Sequence, residues 1–273
     1  MIVHAAGIKT NLLYLNSFDK SKDTILFLHG FTGCAEDWLE VSQLIDNGFN
    51  QIAIDIAGHG KTESPEDLTY YSAGNIVNQI LQTIEYITPR KIILAGYSMG
   101  GRAALTFAVQ HPEKIKALIL ESTSAGIENK TDQQSRIEND NNLAEFIESH
   151  SIAEFVDIWL DKEIFQSLKN LTKEKFNHYK NAKLQNCKIG LANSLRGFGT
   201  GKMPYTGSKL KVIDSPVLLI TGELDKKFTK LNRELVQKFP NSKHIIIKNA
   251  GHNVHFEKPE EFGRSVNEFL ISS

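Results

Sequence analysis

The sequence predicts an α/β fold, a mostly parallel central sheet flanked by helices, with a block of helices inserted before the sheet is complete. Three observations lead there. Short apolar runs that read as buried strands recur at residues 24–28, 51–56, 92–95, 117–120, 217–220 and 244–247. Helix-period stripes such as Ile76, Ile80, Ile84 and Ile87 stand between them, the alternation that a parallel sheet requires. From about residue 122 to 210 the texture turns polar and helical, with strand-like alternation scarce. The predicted organisation is one core, residues 1–121 and 211–273, carrying a helical lid at 122–210.

Composition excludes several classes. The 273 residues carry a formal net charge of -1, with 41% hydrophobic and 23% charged residues, ordinary for a water-exposed globular chain. No basic surface points to nucleic acid or to a membrane face. Cys34 and Cys187 lie far apart without C-x-x-C or Cys/His spacing, so neither a disulfide framework nor a zinc site is expected, and a reducing compartment follows. No basic-then-apolar leader opens the chain and no run approaches 18 apolar residues, so a cytoplasmic protein without an integral membrane segment is expected. A monomer or small homo-oligomer fits this composition.

Taken in order, the run 24–28 ends in His29-Gly30-Phe31-Thr32-Gly33, a glycine-punctuated loop that lets a backbone amide approach a ligand. A helical stretch opening at Trp38 is expected to lean over the same pocket. The strand 51–56 closes in a glycine turn, where Asp55 reads as a turn or packing residue. Residues 76–87 form scaffold helix.

The strand 92–95 then runs into Gly96-Tyr97-Ser98-Met99-Gly100, with an amphipathic helix at 102–110. In G-x-S-x-G the serine sits on a sharp strand-to-helix turn, and side chains at the glycines would collide with neighbouring strand and helix. Ser98 is thereby lifted out of the sheet edge, above amides that can hold developing negative charge. The expected donors are the backbone N–H groups of Phe31 and Met99. Beyond the inserted block, the strand 217–220 ends at Glu223-Leu224-Asp225, where Asp225 is the favoured acid and Glu223 its competitor. The last strand leads to Gly251-His252-Asn253-Val254-His255, where the glycine turn favours His252 over His255 as the base. A helix over 260–270 closes the domain.

The order Ser98, Asp225, His252 is that of the α/β-hydrolase fold, with His252 taking the serine proton and Asp225 fixing its tautomer. The motifs LHGFTG at 28–33, GYSMGGR at 96–102, SLRGFGTG at 194–201, GELDKKF at 222–228 and AGHNVHFEKP at 250–259 together resemble one branch of that family. The branch is the 2-succinyl-6-hydroxy-2,4-cyclohexadiene-1-carboxylate synthases of menaquinone biosynthesis, and the resemblance covers nearly the whole chain. It implies a lyase that eliminates pyruvate from 2-succinyl-5-enolpyruvyl-6-hydroxy-3-cyclohexene-1-carboxylate, with no metal or organic cofactor; for that reaction Ser98, activated by His252, is expected to act as a base.

A substrate with three carboxylates needs cationic partners. Arg102, one helical turn past Ser98, offers a planar fork for one of them. The resemblance adds Arg136, in an R-x-x-x-D stretch, and Lys227, two residues past the acid. It also adds Lys183, where relatives carry arginine. Arg196 is either a ligand or half of an ion pair within the lid. Tyr97 and Trp159 are candidates to line the cavity, with core packing as the alternative for Trp159. Two rival readings stay open: an ester or thioester hydrolase acting through an acyl-enzyme, and a non-catalytic module that binds a small molecule.

Overall fold

A computed structural model describes residues 1–272. Its strands are β1 (Ile2–Ala5), β2 (Ile8–Tyr14), β3 (Thr24–Leu28), β4 (Asn50–Ile54), β5 (Ile92–Tyr97), β6 (Ile115–Glu121), β7 (Val217–Gly222) and β8 (Ser242–Ile247). They form one sheet in the order β1-β2-β4-β3-β5-β6-β7-β8, antiparallel at β1–β2 and β2–β4 and parallel from there on. The six parallel strands match the six apolar runs read from the sequence.

The hairpin of β1 and β2 is an addition to the predicted fold. Its two-residue turn places Ala6 at φ 52° and Gly7 at φ 80°, both in the left-handed region that a tight hairpin turn needs. Alanine is a poor signal for that conformation, and the flanking residues alternate weakly in polarity, so the sequence carries little trace of the hairpin.

The helices are α1 (Leu39–Ser42), α2 (Ala73–Ile87), α3 (Met99–Gln110), α4 (Lys130–Ser149), α5 (Ile152–Leu160), α6 (Lys173–Lys183), α7 (Lys188–Phe198), α8 (Lys226–Leu235), α9 (Val254–Glu257) and α10 (Pro259–Ile271). Period-2 alternation along β3 divides the core. Leu26 and Leu28 face the layer of α2 and α3, with Ile76, Ile80 and Ala104, whereas Ile25 and Phe27 face Trp38 and, from α10, Phe262 and Val266. Trp38 belongs wholly to that second layer. It is fully buried and stacks on His255 with ring centroids 4.1 Å apart, so it does not lean over the pocket as its sequence position suggested.

Between β6 and β7, neighbours in the sheet, the chain makes α4 to α7. These helices carry a hydrophobic cluster of their own, including Ala144, Ile147, Phe155, Val156, Leu191 and Leu195, and Phe31 of the loop after β3 packs against it. The inserted helices therefore rest on that loop, at the edge of the sheet where the parallel strands end.

Candidate active site

At the end of β5 the backbone of Ser98 is forced to φ 49°, ψ -105°, a strained conformation worth roughly 1–3 kcal/mol for a residue with a side chain. The surroundings hold it there. Ser98 N–H donates to Glu121 O at 2.8 Å, and its carbonyl accepts from Arg102 N–H at 3.0 Å and from Thr123 Oγ1 at 2.9 Å. The crowding inferred for the two glycines is present. A Cβ on Gly96 would stand 2.4 Å from Gly100 O, and one on Gly100 would stand 2.1 Å from Leu28 O.

His252 joins Ser98 to Asp225. Asp225 Oδ2 accepts from His252 Nδ1–H at 2.6 Å, which leaves Nε2 to accept from Ser98 Oγ at 3.0 Å. His252 and Asp225 are both buried, so their pairing is little screened by water. Asp225 also caps α8, its Oδ1 accepting from Phe228 N–H at 3.1 Å, so one carboxylate anchors a helix and orients the imidazole. The loop of His252 is gripped from behind: Glu257 accepts from the N–H groups of both its neighbours, Gly251 at 2.8 Å and Asn253 at 3.2 Å.

The two competitors lie elsewhere. Glu223 accepts from Asn249 N–H at 3.1 Å and is exposed. His255 Nδ1 pairs with buried Glu121 at 2.7 Å, beneath the sheet edge. Asp55 has the packing role expected of it, accepting from the N–H groups of Ala35 at 2.5 Å and Lys61 at 2.7 Å and from Asn11 Nδ2 at 2.8 Å.

A cavity opens over Ser98 and His252, and Tyr97, Met99 and Phe31 form its near wall. Three cationic side chains line it: Arg102, Arg136 and Lys227. Arg102 is the most enclosed. Its Nε is buried without a partner, and burial, reinforced by the charge of Arg136, lowers its pKa to about 10, still well above neutrality. Arg136 Nε donates to Asp140 at 2.8 Å, which turns its fork toward the same cavity wall. Lys227 occupies the first turn of α8, where a cation opposes the helix dipole. Trp159 lines the cavity, edge-on to Phe31 at 5.2 Å between ring centroids, and also packs against the hydrophobic cluster of the inserted helices, so it takes both of the roles weighed for it.

Two expected cations are not brought to the cavity. Lys183 is buried in an ion pair with Asp37 at 2.9 Å, its ammonium 4.3 Å from the ring centroid of Tyr179. Arg196 makes a bidentate pair with Glu148 at the outer side of the inserted helices, which resolves the alternative left open for it. The motif around it does reach the cavity. Ser194, Leu195 and Phe198 face it from α7, followed by Gly199 and Thr200. Helical spacing puts Ser194 and Phe198 on one face and turns Arg196 away. Sequence reasoning also missed Ile164, Phe165 and Phe228, apolar residues whose only signal was their place in polar, helical surroundings. Among the described residues no group of His, Cys, Asp or Glu converges as a metal site, and no helix is long and apolar enough to cross a membrane.

Beneath the loop after β3, His29 and His59 are buried with ring centroids 5.0 Å apart. His29 Nε2 accepts from Ile56 N–H at 3.0 Å, so this ring is neutral. Burial lowers the two pKa values from 6.5 to about 4 for His29 and about 3 for His59. The unfolded chain therefore binds protons that the folded one refuses. This contribution to stability is fully present above pH 6.5 and is lost as pH falls toward 4. Between pH 7.5 and 5 the expected loss is roughly 2 kcal/mol for each histidine. Urea titrations at the two pH values check this, and His59→Gln is expected to flatten the dependence.

A strained serine between strand and helix, a histidine and carboxylate following in that order, and a helical insertion over the sheet edge define a class. The model of the alpha/beta hydrolase fold matches residues 23–259, and the chain belongs to that family. Within it the relatives are narrower. A Bacillus subtilis (strain 168) protein provisionally named 2-succinyl-6-hydroxy-2,4-cyclohexadiene-1-carboxylate synthase is 39% identical over 252 residues, 92% of each chain. The Yersinia pestis bv. Antiqua (strain Nepal516) synthase of the same name is 28% identical over 250 residues, 91% of this chain and 88% of that one. The solved structure of MenH from S. aureus superposes with a TM-score of 0.90 at 32% identity, covering 96% of this chain and 98% of that one. The chain falls in the synthase branch that these relatives define.

Proposed function

We propose that this enzyme eliminates pyruvate from 2-succinyl-5-enolpyruvyl-6-hydroxy-3-cyclohexene-1-carboxylate, yielding 2-succinyl-6-hydroxy-2,4-cyclohexadiene-1-carboxylate in menaquinone biosynthesis. One observation carries the reading. The cavity over the Ser98–His252–Asp225 chain holds three cationic side chains, of which Arg102 is half-buried and its Nε is fully buried without a partner. A neutral ester gives no use for such a group, whereas a substrate with three carboxylates does.

Ser98, its proton drawn by His252, removes the ring proton next to the succinyl carbonyl. The carbonyl oxygen takes up the electron pair as an enolate and is held by the N–H groups of Phe31 and Met99. Collapse of the enolate forms the C2=C3 double bond, moves the ring double bond from C3=C4 to C4=C5 and breaks the bond between C5 and the enolpyruvyl oxygen. Enolpyruvate leaves, and protonation at its methylene carbon gives pyruvate. Asp225 stabilises the imidazolium throughout. Tyr97 and Trp159 close the apolar walls around the ring, and Arg102, Arg136 and Lys227 take the carboxylates. The inserted helices act as the lid that shuts water out.

The test supplies the enolpyruvyl substrate to the purified enzyme and follows pyruvate. Release that is lost in Ser98→Ala supports the reading, and no release from the wild type sinks it. An acyl-enzyme burst with simple esters, indifferent to Arg102→Ala, is the outcome that favours a hydrolase instead. On the elimination, Arg102→Ala is expected to lower kcat/KM by roughly 10- to 150-fold, the equivalent of one charge-assisted hydrogen bond of about 1.5–3 kcal/mol. Arg102→Lys should recover only part of this, because an ammonium lacks the planar fork.

A further inference from the structure

The two polar side chains at the junction of α6 and α7 do not face the cavity, yet both reach across to the loop that carries Phe31. Asn186 Nδ2 donates to Thr32 O at 2.9 Å, spanning 154 residues of sequence, and to Lys183 O at 3.0 Å. Lys183 Nζ donates to Asp37 Oδ2 at 2.9 Å, spanning 146 residues. Asp37 Oδ2 in turn accepts from Cys34 N–H at 3.2 Å. The stretch from Thr32 to Asp37 is thus fastened near both its ends by the inserted helices.

The fastening falls where the backbone needs it. Thr32 stands at φ 67°, a left-handed conformation that strains a β-branched residue and that the surroundings must hold. The turn is closed within itself by one bond, Gly33 N–H to Gly30 O at 2.9 Å. Phe31 N–H belongs to the peptide it shares with Gly30, and the carbonyl of that peptide is the acceptor of this bond, so a turn that relaxes at Thr32 releases the peptide that carries the donor. A donor serves an oxyanion only when it is held within a few tenths of an ångström. The Lys183–Asp37 pair is correspondingly strong. Burial works against the lysine's charge, but Asp37 outweighs it and holds the ammonium above its ordinary pKa.

We infer that Asn186 and Lys183 are positioning residues of a latch through which the seated inserted helices set the oxyanion donor of Phe31. This rests on the reading of Phe31 as that donor. The latch links substrate enclosure to catalysis: while the junction of α6 and α7 is lifted, the loop is free to relax and the site is open but inactive.

The variants are Asn186→Asp, which keeps the size and loses the donor, and Asn186→Ala. In both, kcat for pyruvate release is expected to fall about 10- to 100-fold, less than the 100- to 1000-fold loss of a whole donor, with KM within about twofold. KM is spared because Arg102, Arg136 and Lys227 sit on α3, α4 and α8. A thermal melt within a few degrees of wild type shows that the fold is intact. Lys183→Met leaves Asp37 buried alone and risks misfolding, so it is paired with Asp37→Asn in one double variant, expected to act in the same direction.

An alkyl trifluoromethyl ketone supplies a readout that does not depend on the reaction. Ser98 Oγ adds to its carbonyl carbon, the serine proton passes to His252, and the carbonyl oxygen becomes an oxyanion in the hole. Its affinity is expected to fall about 10- to 100-fold in the Asn186 variants, while inhibition by succinate, a simple dicarboxylate, is unchanged. Ketone affinity and kcat both within twofold of wild type would overturn the latch. A wild type that binds no ketone overturns it too, by removing the oxyanion hole it rests on. A wild type that binds the ketone but releases no pyruvate sinks only the proposed reaction, and the ketone series still decides the latch.

Discussion

Asp225→Asn is expected to lower kcat for pyruvate release by about 10⁴-fold while leaving the fold and KM nearly unchanged. The 2.6 Å bond to His252 Nδ1 fixes the proton on that nitrogen and frees Nε2 for Ser98 Oγ at 3.0 Å. An asparagine amide is the same size, but it can turn its NH₂ toward Nδ1. The imidazole then carries its proton on Nε2, where it faces the serine as a donor and no longer as an acceptor. The negative charge that stabilises the imidazolium is lost as well. Because both groups are buried, solvent does little to replace it. The helix cap at Phe228 N–H survives, since an asparagine oxygen accepts as a carboxylate does, so a melt should show little change. Steady-state kinetics with a circular dichroism melt checks both halves. A loss of less than tenfold would mean that His252 does not need this partner, and that the order Ser98, Asp225, His252 had misled.

That order was the most legible part of the sequence, because each member stands at the end of an apolar run, where a parallel sheet brings its strands to one edge. Arg102 was legible for a related reason, being one helical turn from a serine at the helix start. The lid was harder. SLRGFGTG drew attention to the right segment and to the wrong side chain, since charge singles out Arg196 in a string, while only the face of α7 decides that Ser194 and Phe198 meet the cavity. Lys183 illustrates the same limit. Its partner Asp37 lies 146 residues away, and nothing local in the sequence announces a buried pair across that distance. Lys227 was pointed to by the resemblance alone, two residues past the acid, and its place in the first turn of α8, against the dipole, emerges only from the structure. The hairpin before β3 was illegible because its turn uses Ala6 in a conformation that alanine seldom signals.

The glycines of the elbow lead to the largest structural effect expected. In Gly100→Ala the new methyl carbon would lie 2.1 Å from Leu28 O, 2.5 Å from Leu28 C and 2.6 Å from His29 O. All three are backbone atoms of the central strand β3 and the loop leaving it, so no flexible side chain can give way. Relief requires α3 to move off the sheet or β3 to shift against β5, both in the fully buried core around Leu28, Leu94 and Ala104. Overpacking of this kind costs typically 1–3 kcal/mol where side chains absorb it, so about 3 kcal/mol or more is expected where they cannot, a drop of roughly 6–12 °C in Tm. Activity should fall further than stability. The displacement acts at the start of α3, which carries the Met99 amide and Arg102 together, and it pulls on His29, two residues before Phe31. Both proposed oxyanion donors and the enclosed cation would move at once. A variant that melted like the wild type would show that the elbow tolerates a side chain there, contrary to the crowding that Gly96 and Gly100 share. A variant that folded at lower temperature yet kept full kcat would separate the elbow's structural role from its catalytic one, and would place the second donor somewhere other than the first turn of α3.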